Sequence, residues 1–82
     1  MRALNGDNDE PIHSVQLYLS AEEARKLVVA LEQLLQDPDS DDHRHVLSLD
    51  GLREVSVSLV TDRKMKELKR FTAAEQRMFL DP

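Results

Sequence analysis

The sequence contains no cysteine and no tryptophan, only two glycines, and only three aromatic residues. Without cysteine, no disulfide and no thiolate-held metal can brace a small fold. With two glycines there is no Gly-rich phosphate loop and no Gly-x-Ser-x-Gly nucleophile elbow, and a His-Glu-x-x-His zinc helix is missing as well. No apolar run approaches the ~20 residues of a membrane-spanning helix. The opening residues lack the basic-then-apolar pattern of a secretory signal. Positive charge is also scarce: 11 Lys and Arg stand against 16 Asp and Glu, a net charge of −5. A general nucleic-acid binder needs a surplus of cations facing phosphates. Together these absences describe a soluble, cytoplasmic protein that is not an enzyme and uses no cofactor. At 82 residues it is one small domain. Such a chain buries about 60% of the surface its unfolded form exposes, so the core is thin and a small-molecule pocket is not expected.

Residues 1–11 (MRALNGDNDEP) combine Gly, Asn, Asp and Pro with little to bury and read as a disordered leader, whose deletion should leave stability nearly unchanged. From Ile12 the pattern changes. Val15, Leu17 and Leu19 alternate with Ser14, Gln16 and Tyr18, the period-2 signature of a half-buried strand. Ser20-Ala21-Glu22-Glu23 is a capping box that opens a helix. Ala24, Leu27, Val28, Leu31, Leu34 and Leu35 form its apolar stripe, and Pro38 stops it by about Asp37.

The stretch 37–42 (DPDSDD) is an exposed acidic loop. Two strands follow, over His43–Leu49 and Val55–Val60, joined at Asp50-Gly51. A three-residue loop at Leu49-Asp50-Gly51 places Leu47, Val55 and Val57 on one face, whereas a two-residue turn would put Leu47 opposite to them; the former is the expected register. After Thr61 the composition turns helical. Thr72-Ala73-Ala74-Glu75 is a second capping box with Phe71 before it.

The expected fold is therefore α+β, a two-layer β-α-β-β-α arrangement. A three-stranded sheet carries one long amphipathic helix, and a helical C-terminal segment follows. Its parts are the leader (1–11), the α+β core (12–61) and the helical segment (62–82). Phe71 and Phe79 in that segment have few partners in so small a chain and are candidates for burial against a second copy, giving a homodimer.

Three constellations bear on function. Asp37, Asp39, Asp41 and Asp42 cluster near a helix C-terminus, where the helix dipole disfavours negative charge; they are the candidate binding surface for a larger, basic protein partner, with carboxylates steering the encounter. Arg63, Lys64, Lys66, Lys69 and Arg70 oppose only Glu67, a local charge of +4 that leaves −9 on the remaining 74 residues. This basic surface supports the alternative of a homodimeric, nucleic-acid-associated regulator. His43 and His45 lie two apart on one side of a strand, a spacing that metal chelation requires. With two imidazoles and no cysteine, the plainer reading is a strand at the sheet rim, and no metal is assigned.

The run from the strand into Leu-Ser-Ala-Glu-Glu-Ala-Arg-Lys-Leu, then an amphipathic helix, an acidic turn and Asp-His-Arg-His-Val-Leu, resembles small bacterial immunity proteins that neutralise polymorphic toxins. The resemblance spans residues 12–60 and carries across no functional residue. It implies a compact α+β inhibitor without activity of its own, acting against a toxin. Apart from that resemblance, the same size and acidity suit another small inhibitor, for instance one encoded by a phage against a host nuclease or bacterial defence complex.

Overall fold

Ser20 sets the start of the longest element. Its hydroxyl accepts the Glu23 N–H at 3.1 Å, and the Glu23 carboxylate accepts the Ser20 N–H at 2.8 Å. This reciprocal cap opens helix α1, Ala21–Gln36. The Asp37 N–H closes it on the Leu34 carbonyl at 3.2 Å, one residue ahead of Pro38. These features belong to a computed structural model that describes residues 1–40 and 42–80.

The chain divides into two units. The first comprises Met1–Leu17 with Asp62–Pro82, and the second is Tyr18–Thr61. In the second unit α1 packs on strand β1, Arg44–Leu47, which pairs antiparallel with β2, Glu54–Val57. The core of this unit is small: Ala30 and Leu34 from α1 and Val46 from β1 are buried.

The sheet departs from expectation in two ways. First, it has two strands, not three, among the described residues. Residues 12–19 are not a strand, and Val15, Leu17 and Leu19 are exposed. Alternation marks which side of a strand would be buried, but a strand also needs a neighbouring edge to receive its backbone hydrogen bonds. This segment does not belong to the sheet among the described residues. Second, the register is the other one. Val46 faces Val55 and Arg44 faces Val57, while Leu47 faces Glu54. Val46 is buried and Leu47 half out in solvent. The closing bond lies further out than expected, from the Ser48 N–H to the Arg53 carbonyl at 2.9 Å, which leaves a four-residue loop, 49–52. Four residues preserve the parity of two, so the three-residue loop and the face it implied are both wrong.

Side-chain bonds hold the hairpin loop together. The Asp50 carboxylate accepts the Ser48 hydroxyl and the Leu52 N–H, and the Ser48 hydroxyl accepts the Arg53 N–H. Gly51 follows at φ 72°, the left-handed region where only glycine sits without a Cβ penalty.

The first unit is helical. Helix α2, Asp62–Lys66, leads into a 3₁₀ turn, Leu68–Arg70, and helix α3, Ala73–Leu80. Thr72 and Glu75 form the second capping box: the Glu75 N–H reaches the Thr72 hydroxyl at 3.2 Å, and the Thr72 N–H reaches the Glu75 carboxylate at 3.3 Å. Phe71 meets Phe79 edge-on with ring centroids 4.9 Å apart, and Phe79 is buried. Residues 3–12 turn back on themselves through an isolated bridge between Leu4 and Pro11. Arg2 donates to the Phe79 carbonyl from Nη2 at 2.9 Å and from Nε at 3.3 Å. A guanidinium there satisfies an orphan carbonyl in the last turn of α3 and complements its dipole. No helix among the described residues is long and apolar enough to cross a membrane.

Candidate binding surfaces

The acidic loop leaves α1 through a short turn. The Ser40 N–H bonds the Asp37 carbonyl at 3.1 Å, and the Asp42 N–H bonds the Ser40 hydroxyl at 3.0 Å. Backbone and Ser40 thus shape the loop, and neither of these bonds uses a carboxylate. Asp37, Asp39 and Asp42 are exposed. The contact of Asp42 with Arg44, 3.9 Å between Oδ2 and Nη2, is long, and both side chains are open to water, so it contributes little. Asp41 lies outside the described residues.

Beside this loop, Arg25, Lys26 and Arg44 rim a groove of about 370 Å³ floored by Val29, Ala30 and Val46. The Nε of Arg44 is buried there without a hydrogen-bond partner. Reasoning from the sequence missed this groove. Its signal was present in the inward parity of Arg44, which the other hairpin register hid. A second hollow, about 480 Å³, lies in the first unit and mixes Arg2, Arg77 and His13 with Asp9 and Glu10. Size alone gave no reason to expect either.

The basic segment is less uniform than its sequence. Lys64 is buried, 3% exposed. Arg70 pairs with Glu67 one turn away. Arg63, Lys66 and Lys69 remain exposed. Because α2 is five residues long and gives way to a 3₁₀ turn, these cations do not share one continuous helical side.

The histidines lie apart from any ligand set. His45 sits on the outer face opposite Ser56, with its Nδ1 against the Glu54 carboxylate and the Ser56 hydroxyl. His43 precedes β1 and is exposed. His13 belongs to the other unit. No group of three or more His, Asp or Glu among the described residues could hold a metal ion.

Three carboxylates in the second unit are held below the usual glutamate and aspartate range. For Glu23 the causes are the Ser20 N–H first, then the Leu49 N–H, whose bond to Oε2 is 3.0 Å. For Asp50 they are the Ser48 hydroxyl, then the Leu52 N–H. For Glu54 they are the Ser56 hydroxyl, then His45. Each donor favours the charged form. These groups knit the hairpin and tie it to α1. Phe71 and Phe79, singled out as dimer contacts, pair with each other within one chain.

The chain was compared with protein families, with curated proteins and with solved structures, and nothing matches in any of the three.

Proposed function

We propose that the chain is a non-enzymatic binding protein of the cytoplasm that engages a larger, basic protein partner through the loop 37–42, in the manner of an immunity-type inhibitor. The observation that supports this reading is the loop itself. Its turn is made by backbone bonds and Ser40, while Asp37, Asp39 and Asp42 stand exposed. Each exposed carboxylate contributes little to affinity. Several together raise the local potential and speed encounter with a cationic surface, an effect that salt screens.

The test begins with capture of the partner on the immobilised chain. Association is then timed for the native chain and for a variant with Asp37, Asp39, Asp41 and Asp42 all changed to Asn. The expected result is association slowed about ten-fold at low salt, with the difference closing as salt rises and thermal stability unchanged. An equal rate at low salt would overturn the proposal.

A further inference from the structure

Helix α1 carries two apolar stripes, and the hairpin covers one. Leu27, Ala30 and Leu34 form the covered stripe: Ala30 and Leu34 are buried and Leu27 is half-buried. Ala24, Val28, Leu31 and Leu35 form the other. They follow a 4-3-4 spacing, the a/d repeat of paired helices. With 3.6 residues per turn, this stripe is centred about 100° around the helix from the first. It is open: Val28 is 53%, Leu31 39% and Leu35 63% exposed. A seam of this spacing fits the ridges of another helix better than a flat or polar surface.

Charge decides which helix. Arg25 and Glu32 border the open stripe on the side away from the covered one, two turns apart, and neither has an ion-pair partner among the described residues. If the same helix is laid antiparallel across a two-fold axis near Val28 and Leu31, each Arg25 comes beside the partner's Glu32, so the pair forms twice. Val28 then meets the partner's Leu31, and small Ala24 meets the partner's Leu35. A two-fold interface must be self-complementary, and this surface is, in both volume and charge. A parallel pair offers no equivalent. The positions flanking its seam opposite Arg25 and Glu32 are Leu27 and Leu34, which the hairpin already occupies.

We propose that Ala24, Val28, Leu31 and Leu35 are the interface of an antiparallel homodimer, closed at both ends by Arg25–Glu32 pairs between copies. The contact is narrow and its charges are exposed, so association depends on concentration.

Sedimentation of the full chain from about 5 µM to about 500 µM is expected to pass from one copy to two. Leu35→Asp, at a largely exposed position, should leave the helical circular dichroism intact and hold the protein at one copy throughout. Arg25→Glu alone and Glu32→Arg alone should each prevent pairing, since like charges then face each other. Mixing these two variants should restore a heterodimer, and the double variant R25E/E32R should restore the homodimer. A native chain that stays monomeric at the highest concentration overturns the proposal. So does a dimer that survives Leu35→Asp, or single charge reversals that pair as well as the native chain. Should Leu35→Asp lose its fold, the charge exchange still decides. None of these substitutions touches residues 37–42, so failure here leaves the acidic-loop reading standing, and the converse holds.

Discussion

Glu23 joins two elements with one carboxylate. It caps α1 through the Ser20 N–H and reaches the hairpin through the Leu49 N–H. Because these donors depress its folded pKa, its contribution is present above the unfolded glutamate value, about 4.3, and is lost as pH falls through the lower folded value. Asp50 and Glu54 shift in the same direction, so the helix–hairpin unit should weaken progressively below about pH 4. Glu23→Gln is expected to lower the melting temperature at pH 7 and to flatten its dependence on pH between 7 and 3. Melts at both pH values measure this, and a variant with the native slope would show that Glu23 is not one of the groups responsible. Gly51 makes a different demand. Nothing lies within 4 Å of a Cβ added there, so Gly51→Ala costs only the left-handed backbone, about 1 kcal/mol. Gly51→Asn should recover much of that loss, and denaturant midpoints of the two variants give the comparison.

Among the elements, α1 separates two kinds of leucine that look alike in the sequence. Leu34 is 4% exposed and Leu35 63%. Leu34→Asp would place an unpaired carboxylate in the small core formed with Ala30 and Val46, at a cost of several kcal/mol, comparable to the whole stability of so small a unit. The helical signal from α1 should be lost, while the same change at Leu35 leaves it in place. Circular dichroism distinguishes the two, and a folded Leu34→Asp protein would show that the hairpin does not rest on this stripe. The hairpin itself has a divided character. Its inner face offers Val46, Val55, Val57 and the stem of Arg44, and its outer face the hydrogen-bonded set of His45, Glu54 and Ser56.

For the whole molecule, truncation would test the expectation for residues 1–11. Composition marks them as a leader. In the structure they turn back at Leu4 and Pro11, and Arg2 holds the end of α3. Removing them takes the guanidinium from the Phe79 carbonyl and should lower the melting temperature of the truncated chain by several degrees, about what 1 kcal/mol costs a domain of this size. An unchanged melt would show that the segment contributes nothing to that unit. The charge distribution also belongs to this scale. A net −5 with +4 concentrated at 63–70 suggests two opposed surfaces. Burial of Lys64 and pairing of Arg70 weaken the positive one, while Asp37, Asp39 and Asp42 keep theirs in water.

Features that close within one turn of chain were legible in the order of residues alone. Ser20 with Glu23 and Thr72 with Glu75 set two helix starts, Pro38 set a stop, and Asp50-Gly51 set a reversal, because each depends on groups three or four residues apart. The exposure of the acidic loop was legible for the same reason, since four Asp around a Pro have no local means of burial. What lies opposite a segment is not written in the segment. The alternation at 15–19 did not become a strand of the sheet, and Val15, Leu17 and Leu19 stayed exposed. Val46, not Leu47, went inward because a four-residue loop shifts the parity that a three-residue loop would give. The six apolar positions of α1 read as one face and proved to be two, since a stripe about 120° wide exceeds what a two-stranded hairpin covers. Pairing, register and burial are set by contacts between residues distant in sequence, and the tertiary structure alone supplies those.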